Sequence, residues 1–160
     1  MQMRFGCPKG FTLVEMIVTL IIVALIAAVS GPRFFNLSAF QESGFFDETV
    51  SAVRYAQKYA VATGCPVRVQ ITATGFTLYR PGNVGACQTG PYNIPIADPS
   101  GNATTFIRTA PSGVTFNPTA DFIFTASGTA ILLTDPLTIN IVGSSHLFRV
   151  FGETGFVQRQ

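Results

Sequence analysis

The stretch that decides the fold is Lys9-Gly10-Phe11-Thr12-Leu13-Val14-Glu15-Met16 (KGFTLVEM), which opens into IVTLIIVALIAAVS over residues 17–30. From residue 11 to residue 30 there is no glycine or proline, and Glu15 is the one charge. Twenty helical residues rise about 30 Å, the thickness of a bilayer's hydrocarbon core. Arg4 and Lys9 stand on the N-terminal side. The positive-inside rule therefore places the N-terminus in the cytoplasm and everything past residue 30 beyond the membrane. A plain anchor or a cleaved signal peptide would account for the apolar run, and Ala27–Gly31 (AAVSG) passes as a small-residue cleavage site. Neither accounts for Glu15. A carboxylate at the centre of a membrane helix costs about 2.5–3.5 kcal/mol, less near an end, and asks for a positive partner.

Composition supports a membrane segment more than an unusually apolar core. Of 160 residues, 48% are hydrophobic and 11% charged, against about 25% charged in soluble domains. The 10 basic residues less Arg4 and Lys9 leave 8, equal to the 8 acidic ones. A near-neutral chain carries no broad electrostatic footprint for nucleic acid.

The stretch KGFTLVEMIVTLIIVALIAAV resembles the N-terminus of type IV prepilins and type II secretion pseudopilins. The resemblance implies a leader over residues 1–10, cut between Gly10 and Phe11 by a prepilin peptidase that also methylates the new N-terminus on Phe11. Glu15 then becomes the fifth residue, and its implied partner is the freed amine on Phe11 of a neighbouring subunit. This is physically sensible. An unpaired buried charge is costly, pairing offsets part of that cost, and a buried polar pair can fix register. The implied partners are the peptidase/methyltransferase, other pilin or pseudopilin subunits, an inner-membrane assembly platform, and inner-membrane lipid before assembly. The implied location is the inner membrane, crossed once with the globular part periplasmic, and then a pilus or pseudopilus.

Past Pro32 the apolar positions Phe46, Val50, Val53, Ala56 and Ala60 fall on one helical face. The pattern predicts a helix from about residue 12 to about 63, loosened near Pro32 and near Ser43-Gly44, and stopped by Gly64. Beyond Cys65 the period changes. VRVQI (67–71) and FTLYR (76–80) flank TATG and read as a hairpin; Pro81 to Gly101 reads as a long surface loop. TFIRT, GVTF, DFIFT, TAILLT, LTINIV, HLFRVF and GFVQ then read as short strands between turns, giving one antiparallel sheet or two packed sheets. The expected fold class is α+β: a long N-terminal helix on an antiparallel C-terminal sheet domain, as in pilins. The expected segments are 1–10 leader, 11–30 transmembrane and assembly helix, 31–64 amphipathic continuation and 65–160 β-rich domain.

With Cys7 in the leader, Cys65 and Cys87 remain, able to form one disulfide in an oxidising compartment. Closing that loop would contribute roughly 3 kcal/mol in the chain-entropy picture. Free thiols or metal ligands compete with it, but one histidine and no CxxC spacing argue against a metal. No cofactor is expected and no enzyme: His146 follows Ser144 and Ser145 directly, whereas a nucleophile and its base normally come from different elements. The FIFTASGTA and Thr154-Gly155-Phe156-Val157 stretches resemble the GspH/FimT branch, which includes a minor pilin of the mannose-sensitive haemagglutinin (MSHA) pilus. That resemblance implies a minor pilin, with a type II secretion pseudopilin or a DNA-binding FimT-like pilin as alternatives. The only candidates for a basic patch are Arg108, Arg149 and Arg159, too few to make DNA the favoured partner.

Overall fold

The structure, a computed structural model, describes residues 10–30, 37–82, 87, 91–101 and 104–160. The chain divides into two compact units, one ending at Leu37 and one spanning Ser38–Gln160. In the first, α1 runs Leu13–Ser30. In the second, α2 (Leu37–Thr63) leads, among the described residues, into ten strands.

Helix α2 is unbroken at Ser43-Gly44, where loosening was expected. Gly44 is exposed with open space around it, while the next two residues, Phe45 and Phe46, are buried. Their burial fixes the turn that the glycine would otherwise free. The loosening expected at Pro32 lies outside the described residues. Gly64 ends the helix in the left-handed conformation (φ 66°), as a glycine after the last turn commonly does.

The strands form two antiparallel sheets. They are β1 (Val67–Thr72), β2 (Gly75–Pro81), β3 (Tyr92–Pro95), β4 (Ile107–Thr109), β5 (Phe116–Asn117), β6 (Ala120–Phe124), β7 (Ala130–Ile131), β8 (Leu137–Ile141), β9 (Leu147–Val150) and β10 (Val157–Arg159). Sheet A has the order β3-β2-β1-β6-β7, with β4 also on β2; sheet B has the order β10-β9-β8-β5. The β1–β2 hairpin pairs Thr72 with Gly75, as the TATG turn predicts. The stretch from Pro81 to Gly101 is not all loop. Tyr92–Pro95 adds a strand to β2, with Arg80 opposite Ile94. The short polar strand was hidden by its flanking prolines, which usually mark turns and are tolerated here because β3 lies at a sheet edge.

Two adjacent stripes of α2 serve the two sheets. Phe45 meets Phe76 of β2 at 6.0 Å and Phe116 of β5 at 5.6 Å between ring centroids; Phe46 meets Phe148 of β9 at 6.0 Å. Thr49, Ala52 and Ala56 continue the first stripe; Val50, Val53 and Ala60 continue the second. The buried Thr49 hydroxyl donates to the Phe45 carbonyl at 2.8 Å, so it costs no orphaned group. Alternate residues of β1, β6, β8 and β9 complete a single core.

The polar flank of α2 is tied to the sheet ends. Gln57 Nε2 donates to the carbonyls of Gly128 and Thr154, both at 2.9 Å, and Arg54 donates to Val157 O at 3.0 Å. This explains the Thr154-Gly155 pair. Thr154 Oγ1 accepts from Phe156 N–H at 3.2 Å, and Gly155 has φ 63°. A Cβ on Gly155 would stand 2.0 Å from Gly128 O.

Two substitutions separate these glycines. Gly155→Ala should destabilise by at least about 1–3 kcal/mol, from left-handed strain with the backbone clash added. Gly44→Ala should stabilise by about 0.5–1 kcal/mol, since it adds helix propensity in open space. Thermal denaturation of the two variants checks both signs.

Candidate functional site

Thr12 is the N-cap of α1. Its Oγ1 accepts from Glu15 N–H at 3.3 Å, and its carbonyl accepts from Met16 N–H at 3.2 Å. The TLVE spacing is that of a capping box, which places Glu15 three residues past the cap. A carboxylate in the first turn also suits the helix dipole. Gly10 and Phe11 precede the cap, outside the helix, with nothing within 4 Å of Gly10's would-be Cβ and Phe11 74% exposed. The Gly10–Phe11 peptide therefore lies outside the helix, next to its start, between two exposed residues. The Glu15 side chain has no ion-pair or hydrogen-bond partner among the described residues. Arg4, Lys9 and Cys7 lie outside them.

Every described side chain of α1, from Leu13 to Ala28, is exposed, including Leu13, Leu20, Val23, Leu25 and Ile26. These residues point in all directions round the helix, so there is no polar face to give to water. A helix apolar all round belongs in a membrane or buried among other chains. Among the described residues, no helix is long and apolar enough to cross a membrane.

In the second unit, Cys65 and Cys87 are joined by a disulfide, with Cα atoms 4.7 Å apart. It ties the segment after β2 to the exit of α2. The same loop is held again beyond β3. Arg108 of β4 donates from Nη2 to Asp98 at 2.6 Å and from Nε to Glu48 of α2 at 2.5 Å, with its guanidinium 5.1 Å from the Phe106 ring centre. Asp98 is buried and also accepts from Ser100 N–H at 2.9 Å and Ser100 Oγ at 2.7 Å. Arg108 first, then Ser100, hold the Asp98 carboxyl at about 2, below its usual 3.8.

The three arginines expected as a weak patch are not gathered. Arg108 is committed to the loop clamp in sheet A. Arg159 lies opposite Phe148, on the α2 side of sheet B. It pairs with Asp47 at 2.8 Å, with its guanidinium 5.6 Å from the Phe46 ring centre. Arg149 lies opposite Gln158, on the other face. Asp47 and Glu48, adjacent on α2, thus each hold an arginine of a different sheet. Nothing in the sequence pattern marks that relation, since helix and strands are 60 or more residues apart. His146 stacks on Phe46 at 5.2 Å, and its N–H is taken by Ser144 Oγ at 3.0 Å. Ser144 is thus a turn cap and His146 a packing ring.

Two consequences can be measured. A depressed carboxyl stabilises the fold above the unfolded value and loses that contribution as pH falls through the folded value. Asp98 should therefore hold the loop fully above pH 4 and release it as pH falls toward 2. Amide exchange in residues 92–108 should accelerate over that window, and the step should vanish in Asp98→Asn. Replacing Cys65 and Cys87 by serine should cost roughly 3 kcal/mol at most, read from chemical denaturation.

Residues 7–31 match the model of the prokaryotic N-terminal methylation motif, and residues 47–150 match that of the type II transport protein GspH. Over 69 residues the chain is 38% identical to the type IV narrow pilus major component PilA5 of Thermus thermophilus, a match spanning 41% of this chain and 58% of that protein. The chain thus aligns with less than two thirds of the relative's length. No solved structure matches it significantly. The GspH match spans α2 from residue 47, all of sheet A, strands β5, β8 and β9 of sheet B and the Arg108 clamp, and the methylation-motif match spans the cap and the exposed apolar helix. The chain belongs to the GspH family of pilin-like proteins, described as type II transport proteins, and carries the prokaryotic N-terminal methylation motif.

Proposed function

We propose that the chain is a minor pilin, a structural subunit of a type IV pilus of the MSHA kind. In this reading it is inserted in the inner membrane through residues 11–30, with its globular part in the periplasm. It is cleaved after Gly10, methylated on Phe11, and drawn into a filament by an assembly platform. The observation that carries it is α1 itself: apolar on every side, capped by Thr12, with exposed Gly10 and Phe11 before it and, among the described residues, no side-chain partner for Glu15 in its first turn. Lipid covers such a helix first and other subunits' helices cover it later. Glu15 then pairs with the amine that cleavage exposes on a neighbour's Phe11, which fixes axial register.

A secretion pseudopilin shares this chemistry, and the family's description as a type II transport protein favours it as the second reading. The relative's description as a pilus component favours the first. Deleting the gene separates them: loss of surface filaments with normal enzyme secretion supports the pilus, and the reverse supports the pseudopilus. The DNA-binding reading is weakest, because Arg108 and Arg159 are already held by carboxylates.

The residue roles are tested by two variants. Gly10→Glu should leave a full-length precursor in the membrane. Glu15→Ala should be cut normally yet fail to enter filaments in wild-type amounts. Immunoblots of membrane and sheared-filament fractions read both. Normal maturation and assembly of the Gly10 variant would sink the proposal.

A further inference from the structure

The outward face of sheet B carries a surface cavity of about 570 Å³ lined by Asp135, Phe151, Glu153, Thr154, Phe156 and Gln158. Its floor is aromatic. Phe151 and Phe156 sit opposite each other where β9 turns into β10, joined by Phe151 N–H to Phe156 O at 3.0 Å. Their rings stack with centroids 6.2 Å apart and planes 30° from parallel. Phe156 is 56% exposed, although it is a large apolar side chain in a turn that could have carried a polar one.

The rim is acidic. Asp135 Oδ1 accepts from Gly152 N–H at 3.0 Å, which fixes the carboxylate at the cavity edge. Glu153 is exposed and has no partner among the described residues. No ion pair among the described residues involves either carboxylate. The cation in register with this face is Arg149, the ladder partner of Gln158 and Thr138, and among the described residues it makes no ion pair with Asp135 or Glu153. Arg108 and Arg159 are committed to Glu48, Asp98 and Asp47, and Arg54 donates to Val157 O. The cavity therefore presents two carboxylates with no ion-pair partner among the described residues, beside a stacked aromatic surface.

That combination selects a flat cation. A guanidinium stacks on aromatic faces and donates in a planar fork to carboxylates, and it sheds water more readily than an ammonium does. The Gln158 amide oxygen offers a further acceptor. Anions are repelled by the rim, and a neutral ligand leaves both charges unmatched. The volume lies within the range of about 300–1,000 Å³ typical of ligand pockets, more than one side chain needs and enough for an arginine with its flanking backbone.

We propose that this cavity is a docking site for an arginine side chain presented by a neighbouring subunit of the assembly. Only the identity of that neighbour rests on the subunit reading. The arginine selectivity can be tested without it, and a failed titration would leave the processing of residues 10 and 11 untouched. The experiment is an NMR titration of the ¹⁵N-labelled full chain in neutral detergent with N-acetyl-arginine methylamide. The matching citrulline and lysine amides, one uncharged and one non-planar, are the comparisons. Saturating shifts at Phe151, Phe156 and Gln158 are expected with arginine and weaker ones with both comparisons. Asp135→Asn keeps an oxygen for Gly152 N–H, and Glu153→Gln is exposed, so neither should disturb folding. Each should weaken arginine binding by about 1.4- to 5-fold, the range for exposed ion pairs, and the double variant by more. Citrulline or lysine binding as tightly as arginine, no shifts at the cavity, or an unaffected double variant would each overturn the proposal.

Discussion

A helix that is apolar around its whole circumference has to be covered on every side, and no part of α1 can be spared for water. This constraint governs the chain. It explains why α1 buries nothing within its own unit and why Thr12, which satisfies the first free N–H groups, is the polar residue at its start. It also explains why a lone carboxylate in the first turn matters. Covered by lipid near a membrane face, Glu15 is within reach of water. Covered by other helices, it has to be matched, and the cation that matches it in the proposed assembly appears only after proteolysis. In that proposed assembly, one charge couples maturation to packing.

The second unit solves the opposite problem. It must hold a polar-surfaced body on a helix, and it does so by giving α2 two adjacent buried stripes that pack on the sheets. Neither sheet closes into a barrel, so neither would bury its apolar face alone. Phe45 and Phe46 are the junction: Phe45 meets rings of both sheets, and its neighbour Phe46 meets Phe148 of sheet B. Asp47 and Glu48 repeat the division with charge, one reaching Arg159 and the other Arg108. Four consecutive side chains therefore orient the helix against both sheets, first by packing and then by ion pairs on the flanks. Sheet register alone would not achieve this, since a helix can slide along a flat apolar surface.

Much of this was legible in the sequence, for identifiable reasons. The second α2 stripe shows as a 3.6 period because burial is strict there, and the β1–β2 hairpin shows because Thr72 to Gly75 leaves room only for a tight turn. The disulfide followed from counting cysteines once Cys7 was set aside. What escaped notice was nonlocal or locally contradictory. Strand β3 is polar and ends in proline, so its composition argued for loop, while its pairing with β2 depends on a partner ten or more residues away. The continuity of α2 through Gly44 depends on the burial of Phe45 and Phe46, which overrides a helix propensity penalty of about 1 kcal/mol. The supposed basic patch failed for the same reason. Alternation along β9 and β10 sends Arg149 and Arg159 to opposite faces, and ion pairs take up Arg108 and Arg159. At the site, the cap and the charge position were local and readable, whereas the cavity on sheet B needs Asp135 and the β9–β10 turn brought together by the fold.

The central claim is that residues 1–10 are a leader whose removal creates Glu15's partner. The most direct test is the intact mass and N-terminal sequence of the protein recovered from its native membrane or filament fraction. The account predicts a chain that begins at Phe11 and carries one added methyl group on its α-amine. A chain that begins at Met1, or near residues 28–31 after a signal-peptide cut, would contradict it.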